Sequence, residues 1–105
     1  MPEIAPLALQ QRLQSGHAIT LIDVREPHEW DIARIDGARL IPLAGLAAAL
    51  GELDTADEIV VHCRSGARSA RAVRQLREAG YRRVWNLAGG ILRWSDEVDP
   101  AVPRY

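Results

Sequence analysis

The chain has 105 residues, a formal net charge of −1 at neutral pH, and 48% hydrophobic and 26% charged residues. That length suits one small domain with its own core, and the near-neutral balance gives no field that selects nucleic acid or a membrane surface. The lone cysteine, Cys63, excludes an internal disulfide and a cluster of thiolates around zinc or iron–sulfur, and no apolar run approaches the ~20 residues of a membrane helix.

Every Lys/Arg position is Arg. A free thiol fits a reducing compartment. The start, Met1-Pro2-Glu3-Ile4-Ala5-Pro6, lacks a basic segment followed by a long apolar stretch. A cytoplasmic location is therefore the expectation, with no membrane partner.

In chain order, Leu7, Leu9 and Leu13 mark a first helix that stops at Ser15-Gly16. Ile19–Ile22 reads as a buried strand. Glu26 to Trp30 reads as a short helix with Pro27 in its first turn. Leu40–Ile41 is a second short strand, and Leu43 to Leu53 an Ala/Leu-rich helix. Ile59–His62 is a third strand, rich in branched apolar residues. Ser69 to Ala79 is a helix carrying Ala70, Val73 and Leu76 on one face, closed by Gly80. Val84–Leu87 is a fourth strand. Gly89-Gly90 opens a last helix with Ile91, Trp94 and Val98. Strands alternating with helices predict a mostly parallel sheet covered on both faces. In such sheets ligands sit beyond the carboxyl ends of the strands, which points to the turns after Ile22, His62 and Leu87.

The turn after His62 reads Cys63-Arg64-Ser65-Gly66-Ala67-Arg68-Ser69. A strand feeds a short loop and the loop feeds a helix. Loop N–H groups, the helix dipole and the charges of Arg64 and Arg68 all favour thiolate over thiol. Gly66 permits the tight backbone of an anion cradle. Ser65 can donate a hydroxyl to a bound anion, and Ser69 can cap the helix. The bland alternative is a small buried hydrophobe at a strand end, but two arginines within five residues are poor neighbours for such a cysteine.

This loop resembles the active-site loop of rhodanese domains, in its Cys-Arg-Ser-Gly-x-Arg-Ser form. The resemblance extends over almost the whole chain. It includes Leu21-Ile22-Asp23-Val24-Arg25-Glu26-Pro27 with Glu29, then Ile35 with Gly37-Ala38, then Ile41-Pro42-Leu43. It ends with Asn86-Leu87-Ala88-Gly89-Gly90-Ile91 and Trp94. Residues 33–40 depart from the family pattern, with Ala33-Arg34-Ile35-Asp36-Gly37-Ala38 where many members have Gly-His-Ile-Pro-Gly-Ala. The resemblance implies a single rhodanese-like domain over residues 1–105, α/β, with a five-stranded, mainly parallel sheet flanked by helices on both faces.

The resemblance further implies a sulfurtransferase. Cys63 would take sulfane sulfur from a donor such as thiosulfate or a protein persulfide. It would pass that sulfur to a thiol, cyanide or a sulfur carrier. Arg64, Ser65, Gly66, Ala67, Arg68 and Ser69 would bind the substrate, and no metal or organic cofactor is implied. The C-terminus from Ile91 to Tyr105 is similar to rhodanese domains fused to enzymes that activate molybdopterin-synthase and thiamine sulfur carriers, so a ubiquitin-like carrier is an expected acceptor. Phosphatases and arsenate reductases use a loop one residue longer than the Cys63–Arg68 spacing, which disfavours that chemistry. A rhodanese-like module that only binds partners, and a thiol redox sensor, are the other readings. The first typically loses the cysteine, and the second often has a resolving one nearby.

Other residues are given structural parts. Arg25 is expected to pair with a carboxylate such as Glu29, and Asp23 to order nearby turns. His62 is expected opposite Cys63, as a satisfied core histidine, and His17 and His28 at the surface. Seven arginines against one acid between Arg64 and Arg83 make either a solvated face, with Arg74 and Glu78 as an i,i+4 pair, or a basic rim for anionic donors or an acidic partner. Nucleic acid is disfavoured, because no aromatic residues are interleaved with these arginines. Trp30, Trp85 and Trp94 are expected in the core or a groove wall.

Overall fold

Short strands without a polar face cannot stand in water and must be covered on both sides. The computed structural model, which describes residues 2–105, shows how this is done. Its strands are β1 (Glu3–Ile4), β2 (Ile19–Asp23), β3 (Arg39–Leu40), β4 (Glu58–His62) and β5 (Val84–Leu87). Its helices are α1 (Pro6–Gln14), α2 (Pro27–Ile32), α3 (Leu46–Ala49), α4 (Ala67–Glu78) and α5 (Gly90–Glu97). The strands form one sheet in the order β1-β5-β4-β2-β3, with every pairing parallel.

β4 lies at the centre and is buried along its whole length. Alternation along the strands divides the core in two. Ile22, Val24, Ile59, Val61 and Cys63 pack on one face with Leu46 of α3 and Ala72, Val73 and Leu76 of α4. Leu21 and Val60 face the other way, against Leu9 of α1 and Ile91 and Trp94 of α5. Cys63 therefore emerges on the α4 side of the sheet.

Several expectations need correction. The fifth strand is β1, two residues long and paired with β5 at Glu3↔Asn86 and Ile4↔Leu87; so short a segment leaves no apolar run to recognise. The segment 43–53 is not one helix. It runs as a 3-10 turn at Leu43–Gly45, the short α3, and a second 3-10 turn at Leu50–Glu52, with glycines at positions 45 and 51 weakening any continuous helix. α4 starts two residues before Ser69, at Ala67.

The buried stripe of α4 is Ser69, Ala72, Val73 and Leu76, with Ala70 only half-buried. Among the described residues the i,i+4 ion pair is Arg93–Glu97 on α5, not Arg74–Glu78. Among the described residues no helix is long and apolar enough to cross a membrane.

Candidate active site

β4 delivers Cys63 to the start of the loop, and α4 begins four residues later. The side chain is 1% exposed. Its Sγ accepts a hydrogen bond from the Gly66 backbone N–H at 3.1 Å and lies 3.3 Å from Ser69 Oγ. Gly66 is the N-cap of α4, with φ 122° and ψ −13°. An L side chain strains in that conformation, so glycine is what lets this N–H turn toward the sulfur.

Ser69 does not cap the helix. It sits in the first turn, where its hydroxyl reaches Asn86 Oδ1 at 2.6 Å and the Gly66 carbonyl at 3.2 Å. Asn86, on β5, donates from Nδ2 to the same Gly66 carbonyl at 3.2 Å. The sulfur, the loop glycine and the helix are thus tied to the neighbouring strand through one buried amide. The single Ser69 hydroxyl proton has Asn86, Gly66 and Sγ all within reach, so a negative sulfur has a donor at hand.

The N-terminus of α5 closes the loop from behind. Ile91 and Leu92 donate their backbone N–H groups to the carbonyls of Cys63 and Arg64, at 2.9 and 3.2 Å. A Cβ at Gly90 would lie 2.4 Å from the Arg64 oxygen and 2.7 Å from the Cys63 oxygen. Only glycine allows this approach.

The two loop arginines are both engaged outside the cradle. Arg68 makes a bidentate pair with Glu29, at 2.5 and 2.9 Å, and remains within electrostatic reach of Cys63. Hydrogen bonds from Arg68 hold the Glu29 carboxyl down at about 2, against an ordinary 4.5, despite its burial. Arg64 is exposed and faces outward. It donates from Nε to the Tyr105 carbonyl oxygen at 2.8 Å, with its guanidinium 5.1 Å from the Tyr105 ring centroid. Ser65 and Ala67 are exposed.

Behind Glu29 lies a second set of polar contacts. The Tyr105 hydroxyl donates to Glu29 at 2.7 Å and accepts from Arg25 at 2.8 Å. Arg25, fully buried, grips Asp23 through Nε and Nη2. Its remaining donors go to the carbonyls of Glu29 and Ala33. The expected Arg25–Glu29 carboxylate pair is therefore replaced. Asp23, two residues from Arg25 and equally buried, takes the guanidinium, while the Glu29 carboxylate turns to Arg68.

His62 does face away from Cys63, but it is not a fully satisfied core histidine. Nδ1 lies 3.4 Å from the Cys63 carbonyl, whereas Nε2 has no hydrogen-bond partner and stands 3.8 Å from Asp23. Burial lowers the imidazole to about 4. His17 and His28 are exposed, Trp94 is buried, and Trp30 and Trp85 are half-buried.

Beside the loop, between the end of β2, the 43–45 turn and α4, is a cavity of about 490 Å³ that includes Arg68, Arg71 and Gln75 in its wall. Among the described residues no group of three or more His, Cys, Asp or Glu is placed to hold a metal ion.

Sequence reasoning located Cys63 and its loop, but it quoted Asn86 and Gly90 only within a signature with no contact to that loop, counted Arg71 only within a basic stretch, gave no part to Gln75, and paired Glu29 wrongly. The one available signal was an amide inside the otherwise apolar strand Val84–Leu87, since a buried polar group needs partners.

A parallel sheet with a cysteine loop at the carboxyl end of its central strand defines a class of α/β proteins. Residues 5–97 match the family model for the rhodanese-like domain, and the chain belongs to that family. It is 40% identical over 104 residues to the "Probable adenylyltransferase/sulfurtransferase MoeZ" of Mycobacterium tuberculosis, covering 97% of this chain but 26% of that protein. The chain thus spans about a quarter of that relative's length. A "Sulfurtransferase" of Allochromatium vinosum is 37% identical over 100 residues, covering 95% of this chain and 94% of that protein. Among solved structures, a rhodanese-like domain protein from Staphylococcus aureus superposes with a TM-score of 0.87 at 27% identity, over 100% of this chain and 99% of the other. Family and named relatives support sulfur transfer in general.

Proposed function

We propose that this domain is a rhodanese-type sulfurtransferase in which Cys63 carries the sulfur as a persulfide. The observation that carries the reading is the Cys63 sulfur at the head of α4, held by the Gly66 N–H and within reach of the Ser69 hydroxyl. In the first step the Cys63 thiolate attacks the sulfane sulfur of a donor. The donor S–S bond breaks and its electron pair leaves with sulfite, or with a thiolate when the donor is a persulfide. In the second step a thiolate or cyanide attacks the outer sulfur, and the Cys63 thiolate departs. The two steps balance without an oxidant, a metal or an organic cofactor.

The loop from Arg64 to Ser69 serves as the substrate-binding segment. The Gly66 N–H and the Ser69 hydroxyl supply local donors for a negative sulfur. Ser65 and Ala67 line the exposed mouth, Arg68 adds charge from its pair with Glu29, and Arg64 presents charge at the outer rim. A sulfur in a residue only 1% exposed favours a narrow donor such as thiosulfate, or the extended tail of a persulfide protein, over a flat docking surface. A ubiquitin-like sulfur carrier is the matching protein acceptor once a separate enzyme has activated its C-terminus as an acyl-adenylate: the outer persulfide sulfur attacks that carbonyl, AMP leaves, and external thiols reduce the resulting acyl disulfide to the thiocarboxylate and free Cys63.

Intact mass after incubation with thiosulfate tests the reading. Wild type is expected to gain one sulfur atom, lost again to cyanide with release of thiocyanate, and Cys63→Ala to gain none. Equal gain in both proteins would sink the mechanism. No gain from thiosulfate or from a protein persulfide donor would turn the assignment to a partner-binding module.

A further inference from the structure

The cavity beside the loop shares Arg68 with it, and Cys63 itself is not among the cavity's lining residues. Its floor is apolar, made by Val24, Leu43 and Ala44. Its polar wall comes mainly from α4, through Arg68, Arg71 and Gln75. These positions are spaced i, i+3 and i+7, which places them along one helix face leading away from the cysteine loop. Arg68 belongs to both loop and cavity, so the cavity opens directly alongside the reacting sulfur's helix.

Two arginines line this wall, and they are not equivalent. Arg68 has both terminal nitrogens on Glu29. Arg71, one turn farther on, makes neither an ion pair nor a side-chain hydrogen bond among the described residues, and it is exposed. Glu26 lines the same cavity but lies beyond ion-pair distance of Arg71. A guanidinium fork is thus left open at the rim of an apolar floor, with the half-buried Gln75 amide one turn away. A carboxylate matches that fork in shape and charge, and about 490 Å³ is room for a small molecule with a few methylenes.

We infer that this cavity is the acceptor subsite for carboxylate-bearing thiols, with Arg71 as its anchoring and specificity-determining residue. The inference rests on the persulfide reading of Cys63. The acceptor carboxylate binds Arg71, its methylenes lie on Val24, Leu43 and Ala44, and its thiolate attacks the outer sulfur of the Cys63 persulfide. The new S–S bond forms on the acceptor, the old one breaks, and the electron pair returns to Cys63. Arg68, held by Glu29, does not compete for the carboxylate.

The test compares 3-mercaptopropionate with its methyl ester as acceptors, for wild type and Arg71→Ala. Persulfide loading of Cys63 by thiosulfate is measured first for each protein, so failure of the sulfur-carrier reading shows before any acceptor is added. With wild type, the carboxylate is expected to have a KM about tenfold below that of the ester, as one charge-assisted hydrogen-bonded pair would give. In Arg71→Ala that ratio is expected to fall to about one, with kcat for the carboxylate moving little. Arg71→Lys is expected to restore part of the ratio, since it keeps the charge and loses the fork.

A second readout needs no chemistry. The unreactive 3-(methylthio)propanoate, titrated against amide resonances, is expected to shift residues of α4 and the 43–45 turn in wild type about tenfold more tightly than its ester. A ratio unchanged by Arg71→Ala overturns the subsite. So does an Arg71→Ala effect confined to the KM for thiosulfate in the loading step, which would make the cavity a donor site. If loading fails, the methylthio probe still decides whether Arg71 selects a carboxylate.

Discussion

Gly90 shows how little room a single residue leaves around Cys63. Its φ is +61°, and an added Cβ would fall 2.4 Å from the Arg64 carbonyl oxygen. Gly90→Ala must therefore push α5 away from the loop and strain the backbone as well. A loss of stability of at least about 2 kcal/mol is expected in urea unfolding, together with slowed sulfur loading. Gly51→Ala is the control, because its Cβ would meet nothing within 4 Å, and a change within about 0.5 kcal/mol is expected there. Glu29 acts differently, as the charge partner of Arg68. Its carboxyl, held at about 2 by the hydrogen bonds from Arg68, gives stability that is complete above the ordinary 4.5 and is lost as pH falls through 2. Glu29→Gln is expected to cost about 1–2 kcal/mol at pH 7, the figure being reduced because Arg68 is a third exposed. The same variant is expected to flatten the dependence below pH 4.5 in denaturation series run from pH 5 to 3.

The elements meet at one amide. Asn86 of β5 accepts from Ser69 of α4 and donates to Gly66, the cap of that helix, at 2.6 and 3.2 Å. In Asn86→Ala the Gly66 carbonyl and the Ser69 hydroxyl lose a buried partner. The expected cost is about 1–3 kcal/mol, and loading should slow because Ser69 and Gly66 are the groups around the sulfur. A variant that is destabilised yet loads at the wild-type rate would show that β5 supports the fold without positioning the loop. How much of this was legible depended on chain distance. β2, β4, β5, α4 and α5 were readable, because each writes its own apolar pattern in consecutive residues, whereas α1 was marked by leucines of which only Leu9 is buried. The Cys63–Ser69 loop was readable for the same reason: all its chemistry lies in seven neighbours. The pairing of Glu29 with Arg68 spans 39 positions, and the contact between Gly90 and the loop spans more than 25. No local pattern encodes either. The break in segment 43–53 was missed because Ala and Leu favour a helix locally, whereas only Leu46 and Ala49 of α3 are buried to hold one.

Taken as a whole, the molecule places Asp23 and His62 on one face of the sheet and its sulfur on the other, and this gives it an acid sensitivity that does not involve the sulfur. His62 is 0% exposed, and its Nε2 lacks a hydrogen-bond partner. Burial favours the neutral ring; Asp23, 3.8 Å away, opposes that only in part because Arg25 already neutralises it. The folded imidazole stands at about 4, against an ordinary 6.5. Between those values the unfolded chain binds a proton that the folded chain refuses, so stability falls as pH falls from 6.5 toward 4. The expected loss from pH 7 to pH 5 is about 2 kcal/mol from this one residue. Glu29 contributes little over that interval, because its own window lies between 4.5 and 2. Urea unfolding at pH 7, 6 and 5 therefore isolates the histidine. His62→Phe keeps a ring of similar size and cannot titrate, so its stability is expected to be nearly level across the interval, whatever its value at pH 7. A slope in His62→Phe equal to that of wild type would assign the acid sensitivity to another group. A lost slope with unchanged sulfur loading at pH 7 would establish that the β4 histidine governs the fold's tolerance of acid and takes no part in the chemistry of its neighbour, Cys63.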